Sequence, residues 1–395
     1  MLNRISKALT VFLIITIVIT IFSNNFTGVV SFADADNSLD SFEVRAVPLP
    51  RAKVACLMDY ESGRVLFSHN DTQQVPMAST TKILTAIVAI ENGNLDDIVT
   101  VSKNAADTWG SDIKLKAGEQ MTLRQLLYGL MLNSGNDAAV AIAEHVGGSV
   151  EGFAEMMNKK AAEIGAVNSH FVTPHGLDVS GHYTTGRDLA EITRYALHNK
   201  VFSQIVGTKT ISIPGRTLHN TNELLGYLEG ADGVKTGYTG LAGRCLVASA
   251  TRNGRRYIAV ALGCVTTQDR TQTCTELLNY AFDNYKTKEL FPKGLPLAKI
   301  KVEKGKSDYV QVFTDKEGIS VPVTDKEFDK VQVKMDYPAQ LEAPVSNGMN
   351  VGTAYVMIDG NVIAKYRLHV DQGTGRKNFW DHVKALFDES ARVLG

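Results

Sequence analysis

The sequence predicts an α+β protein: an antiparallel sheet assembled from distant segments with a helical portion beside it, then a small β-rich domain and a C-terminal amphipathic helix. Three observations predict it. Strand-like runs stand at residues 52–68 and again at 246–263, and helical patterns fill the stretch between them. Around Phe291-Pro292-Lys293-Gly294 the composition changes to short β runs separated by turn residues.

In chain order, Arg4 and Lys7 precede a continuous apolar run from Ala8 to Phe22, and Ala33-Asp34-Ala35 offers small residues at a cleavage position. That pattern predicts a secretory signal over residues 1–35; an uncleaved anchor is the alternative, because the run is near the lower length for a spanning helix. Either way the rest of the chain is expected to be exported. A first domain is read over residues 44–288. Ala52 to Asp59 and Arg64 to Ser68 form a hairpin joined at Glu61-Ser62-Gly63. A helix through Ile83 to Ile90 stops at Glu91-Asn92-Gly93, where glycine can take the left-handed terminating conformation. Helical patterns recur at Leu123 to Leu132, Ala138 to His145, Phe153 to Ile164 and Asp188 to Leu197. Leu246 to Ala250, a turn at Asn253-Gly254 and Tyr257 to Gly263 restore strand character before a helix from about Thr271 to Tyr285. The β-rich domain is read over residues 296–370, with runs at Tyr309 to Phe313, Ile319 to Val323 and Tyr355 to Ile358 and no catalytic cluster. In the final segment, 374–395, Phe379, Trp380, Val383, Leu386, Phe387 and Leu394 share one helix face.

Composition narrows the function. Forty-four per cent apolar residues over 395 positions give enough material for more than one core. Forty-one basic against 42 acidic residues, with no basic stripe interleaved with aromatics, argue against a nucleic-acid partner. Cys56, Cys245, Cys264 and Cys274 have no zinc or redox spacing and are expected to be free structural thiols. The histidines form no ligand-spaced cluster and the glycines no phosphate-binding pattern, so neither metal nor organic cofactor is expected.

Three short elements carry chemistry. In Ser79-Thr80-Thr81-Lys82, at the opening of a helix, Lys82 falls one turn beyond Ser79 on the same face. A serine hydroxyl needs a neighbouring base, and a lysine amine becomes one only where burial or positive charge lowers its pKa. The alternative is a capping serine followed by a solvated lysine, but the apolar run after Lys82 argues for a buried helix, where an unpaired lysine is costly. Ser134-Gly135-Asn136 falls between two helices and can face a cleft, or be a plain turn with Asn136 as N-cap. Lys235-Thr236-Gly237 can supply positive charge and an edge along which a substrate backbone adds as a strand, or be a surface turn.

Together these match the Ser-x-x-Lys, Ser-x-Asn and Lys-Thr-Gly signature of penicillin-binding proteins and class A β-lactamases. From residue 44 to about 370 the chain resembles the low-molecular-mass serine D-alanyl-D-alanine carboxypeptidases in particular. The likeness rests on Met77 to Lys82, Ser134 to Ala138, His175-Gly176-Leu177-Asp178, Asp232 to Gly237, and Ala343-Pro344 in the β domain. It implies a β-lactamase/transpeptidase-like catalytic fold and an acyl-enzyme on Ser79, formed on peptidoglycan stem peptides and blocked by β-lactam antibiotics. Lys82 would activate Ser79, and the amides of Ser79 and Tyr238 would hold the oxyanion. Ser134, partnered by Lys235, would relay a proton; Asn136 would hold the substrate amide; Thr236 and Arg270 would bind the terminal carboxylate beside Gly237. His175 and His182 are read as structural.

Rival functions remain. A class A β-lactamase needs a further glutamate with an asparagine four residues on, and Glu155 with Asn158 has the wrong interval on a helix surface. A non-catalytic wall-binding protein would not need all these side chains. An endopeptidase or transpeptidase acting on cross-linked peptides is chemically closer, because acceptor choice depends on cleft shape. For the C-terminal helix the resemblance implies contact with the outer face of the cytoplasmic membrane, with packing on the β domain as the alternative.

Overall fold

The computed structural model describes residues 29–31, 46–314, 318–381 and 383. The expected signal segment apart from Val29–Ser31, and the C-terminal helix beyond residue 383, lie outside them. The chain divides into two compact units, Asp40–Tyr285 and a second comprising Met1–Leu39 with Lys286–Gly395.

In the first unit, β1 (Val54–Asp59) and β2 (Val65–His69) form the expected hairpin. They are joined, far along the chain, by β3 (Ala231–Thr239), β4 (Gly243–Arg252) and β5 (Arg255–Cys264) in an antiparallel sheet of order β2-β1-β5-β4-β3. Side chains alternate across the pleat, and the sheet is buried on both faces. Val54, Cys56, Met58, Ile258 and Val260 join the core shared with the helices. Ala55, Leu57, Ala259 and Ala261 instead pack on Cys274, Leu277 and Leu278 of α7 (Thr267–Asn284).

The helical portion holds α1 (Lys82–Asn92), α2 (Leu123–Leu132), α3 (Asn136–Gly147), α4 (Val150–Ile164), α5 (Gly186–Leu197) and α6 (Lys200–Gly207). Every residue of α1 from Lys82 to Ala89 is buried, which is why its apolar run shows no polar face. Gly93 does not take the left-handed conformation: its φ is −112°. Glycine stands there because a Cβ would lie 2.6 Å from Leu123 Cδ2. Helix α6 was not foreseen. Asn158 is not a solvated helix-surface residue either; its amide clamps Phe171, donating to the carbonyl at 2.7 Å and accepting from the N–H at 2.8 Å. All four cysteines are free and buried.

In the second unit β6 (Lys286–Phe291) pairs with β9 (Ile319–Val323), so this unit takes in residues that lie between the domains read over 44–288 and 296–370. Its larger sheet contains β7 (Ala298–Glu303), β8 (Tyr309–Thr314), β10 (Val331–Asp336), β11 (Gln340–Glu342), β12 (Asn350–Ile358) and β13 (Asn361–Val370), in the order β10-β12-β13-β8-β7-β11. Val29–Ser31 pairs antiparallel on the outer side of β10. Valine-rich alternation in β10, with Val331, Val333 and Met335 inward, typifies how this core is filled.

Candidate active site

A 3-10 turn, Ala78–Thr81, runs directly into α1. Residues three apart eclipse in such a turn, so Lys82 lies over Ser79 more closely than in an α-helix: Nζ stands 2.9 Å from Ser79 Oγ. Ala78, just before the serine, holds a left-handed φ of 49°, a strained conformation for a non-glycine residue. Ser79 is half-buried while Lys82 is wholly enclosed.

Lys82 Nζ also donates to Asn136 Oδ1 at 2.7 Å and to the His175 carbonyl at 2.8 Å. Burial first, then the charge of Lys235, holds the amine well below its ordinary value; Asp137 opposes them. A neutral amine has two N–H groups and one lone pair. With the two N–H groups on Asn136 and His175, the lone pair is left for the Ser79 hydroxyl. His175 is itself neutral, pushed down to about 3 by burial, Lys82 and His182.

Asn136 does not serve as a cap. It is the first residue of α3, after Gly135, and its Nδ2 donates to the Trp109 carbonyl at 2.8 Å. That approach needs Gly110, φ 101°, where a Cβ would lie 2.6 Å from Nδ2. Asp137 pins the same loop: its carboxylate accepts from the N–H groups of Ile113 and Leu115 at 3.0 Å each. One proton of Asn136 Nδ2 and one lone pair of Oδ1 stay available to a substrate amide. Ser134, in the turn between α2 and α3, is also left-handed at φ 62°.

Lys235-Thr236-Gly237 is no surface turn. It lies within β3 at the edge of the sheet, with Lys235 and Thr236 buried. A Cβ on Gly237 would sit 3.1 Å from the Ser79 nitrogen, so glycine lets the strand come against the nucleophile turn. Burial and Arg270 push Lys235 down to about 7. Its Nζ donates to the Thr236 carbonyl at 3.0 Å. Thr236 Oγ1 meets Thr221 Oγ1 at 2.7 Å. Tyr238 is 57% exposed, its ring under the Arg244 guanidinium at 4.0 Å.

Arg270 is buried on α7. Its guanidinium donates to the Gly237 carbonyl at 3.4 Å and pairs with Glu223 at 3.3 Å. Asp178 ties the opposite wall to the end of β3, accepting from Thr239 Oγ1 at 2.7 Å. Beside His175 opens a cavity of about 540 Å³ lined also by Trp109, Glu151, Leu177 and Asp178. The carbonyls of His175 and Trp109 and the Asp137 anchor were not identified from the sequence; a backbone acceptor carries no residue-type signal.

Residues 43–266 match the model of the S11 peptidase family, described as D-alanyl-D-alanine carboxypeptidase, and residues 285–375 match the penicillin-binding protein 5 C-terminal domain. The chain is 38% identical over 326 residues to the D-alanyl-D-alanine carboxypeptidase DacF of Bacillus subtilis, covering 80% of this chain and 83% of that one. To DacA of Escherichia coli it is 34% identical, covering 91% and 94%. Among solved structures it is similar to penicillin binding protein 5 from Haemophilus influenzae, with a TM-score of 0.69, 31% identity, and coverage of 84% of this chain and 100% of that one. It is also similar to the Streptomyces K15 DD-transpeptidase, with a TM-score of 0.59, 35% identity, and coverage of 60% and 99%.

Proposed function

The chain belongs to the S11 family of D-alanyl-D-alanine carboxypeptidases, serine hydrolases of peptidoglycan metabolism, and from that premise we propose that Ser79 is its nucleophile and Lys82 the general base. The observation that carries this is the saturation of Lys82: Asn136 and His175 take its two N–H groups, leaving its lone pair 2.9 Å from Ser79 Oγ.

The substrate is a stem peptide ending in D-Ala-D-Ala. Laid along β3, with Asn136 Nδ2 on its amide, it brings the scissile carbonyl to Ser79. Ser79 Oγ forms the bond to the carbonyl carbon as its proton passes to Lys82 Nζ, and the N–H groups of Ser79 and Tyr238 receive the oxyanion. The C–N bond then breaks as Ser134 passes its proton to the departing amine and takes the one held by Lys82 in return, and D-alanine leaves. Water attacks the ester with its proton taken by the neutral Lys82, which returns it to Ser79 Oγ as the ester breaks, freeing Ser79 and the shortened peptide. The Thr236 hydroxyl and the charges of Lys235 and Arg270 receive the terminal carboxylate. A β-lactam acylates the same serine, but its opened ring stays attached.

Ser79→Ala should abolish both D-alanine release and covalent labelling by fluorescent penicillin. Retained labelling would remove Ser79 from the role.

The segment before the catalytic unit is assigned to export, on the strength of Arg4, Lys7 and the apolar run that follows. Residues 374–395 are assigned to peripheral contact with the outer face of the cytoplasmic membrane; Phe379 and Trp380, each 73% exposed, support that reading. Deleting these residues should release the enzyme from the membrane fraction of cells that process the leader. Its retention there would refute the assignment.

A further inference from the structure

Behind the nucleophile turn runs a chain of side chains that the reaction above does not use. His182 is buried against Phe171, the rings meeting edge to face at 5.9 Å. The backbone N–H of Val172 donates to its Nδ1 at 3.0 Å, so Nδ1 carries no proton. Burial, with nearby His170, pushes the ring down to about 4, so it is neutral and its one proton is on Nε2. Nε2 stands 2.8 Å from Thr81 Oγ1 and therefore donates to it. The Thr81 hydroxyl then has one direction for its own proton: the Ala78 carbonyl, 2.8 Å away.

Ala78 is the left-handed residue immediately before Ser79. Its carbonyl is hemmed in on the other side by Gly176, where a Cβ would fall 2.0 Å from that oxygen and 2.7 Å from Thr81 Oγ1. Gly176 follows His175, whose carbonyl holds Lys82. Thr85 Oγ1 fastens the same segment to α1 by donating to the Pro174 carbonyl at 2.7 Å. The strained turn that aims the serine and the acceptor that aims the base are thus fixed to one another through one hydroxyl and one imidazole.

We propose that Thr81 and His182 are positioning residues for acylation, the Nε2–H of His182 orienting the Thr81 hydroxyl so that it holds the Ala78 carbonyl and with it the turn that presents Ser79. The proposal rests on the reading of Ser79 as nucleophile. Neither residue touches the substrate, which is held by Asn136 and β3; a loosened turn therefore slows bond formation without weakening binding.

Stopped-flow labelling by fluorescent penicillin over a range of concentrations separates the limiting acylation rate from half-saturation. Thr81→Val, similar in shape but lacking the hydroxyl, should lower the limiting rate about ten-fold or more and leave half-saturation within about two-fold. Thr81→Ser should restore most of the rate. His182→Gln, whose amide N–H reaches toward the place of Nε2, should acylate faster than His182→Asn, which mimics Nδ1 alone. His182→Asn combined with Thr81→Val should be no slower than Thr81→Val by itself, because both break one chain.

A wild-type limiting rate in Thr81→Val overturns the proposal. So does a Thr81→Ser rate as low as that of Thr81→Val, or deficits of the two sites that multiply. If the His182 variants fail to fold, the Thr81 pair decides alone, on proteins with unchanged circular dichroism. Labelling retained by Ser79→Ala would remove the nucleophile itself, whereas a wild-type rate in Thr81→Val removes only the positioning role.

Discussion

Each wall of the cleft buries a lysine, and the two are treated differently. On the helical wall, Lys82 has two side-chain or backbone acceptors besides Ser79, and burial together with Lys235 suppresses its charge. On the strand wall, Lys235 has the Thr236 carbonyl, with Arg270 beside it, and is pushed only to about 7. The charge of Lys235 is among the causes that lower Lys82, and burial with Arg270 lowers Lys235. One lysine is thereby equipped to accept a proton and the other to present a charge, using the same residue type.

The difference can be broken most severely at Lys82. Lys82→Met keeps the length and apolar stem but removes the lone pair, and acylation by penicillin should fall by about a thousand-fold, the scale of a lost general base. The cost in stability should be small by comparison, about 2 kcal/mol in denaturant unfolding, because the Asn136 oxygen and the His175 carbonyl lose their donor. A labelling rate within ten-fold of wild type would show that Lys82 is not the base. Lys235→Met should cost less, about a hundred-fold in kcat/KM for a D-Ala-D-Ala peptide, mostly through KM. It should also move the acid limb of acylation to higher pH, since a positive charge that lowers Lys82 is gone. An acid limb left in place would mean that burial alone sets Lys82.

How much of this was legible follows from what kind of atom does the work. Ser79, Lys82, Asn136, Lys235 and Gly237 are side-chain or glycine requirements, and short motifs record them. The β1 and β5 strands were readable because a sheet covered on both faces needs near-continuous apolar runs, and α1 because an unbroken apolar run has to be buried. The carbonyls of His175 and Trp109 were not readable, since any residue supplies a carbonyl and only the fold aims it. Gly93 misled for a related reason: glycine marks both a left-handed end and a place where another segment packs close, and the sequence does not distinguish them. The burial of Arg270 behind Gly237 was not readable either, because it depends on how α7 packs against the sheet.

The smallest expected effect discriminates the two walls most finely. As pH rises through about 7, Lys235 loses its proton, whereas Lys82, held well below its ordinary value by burial, keeps its role as base. The KM for a peptide ending in a free carboxylate should therefore rise, by about ten-fold over the two pH units above 7, with kcat nearly level. Below 7 the charge is present and KM should be flat. A peptide ending in a carboxamide has no charge to lose a partner for, and its KM should not climb. Lys235→Arg, whose guanidinium keeps its proton throughout, should flatten the climb for the carboxylate as well. Steady-state kinetics of both peptides from pH 6 to 9 would check this, and a level KM for the wild-type enzyme would take the carboxylate away from Lys235 and leave Thr236 and Arg270 to hold it.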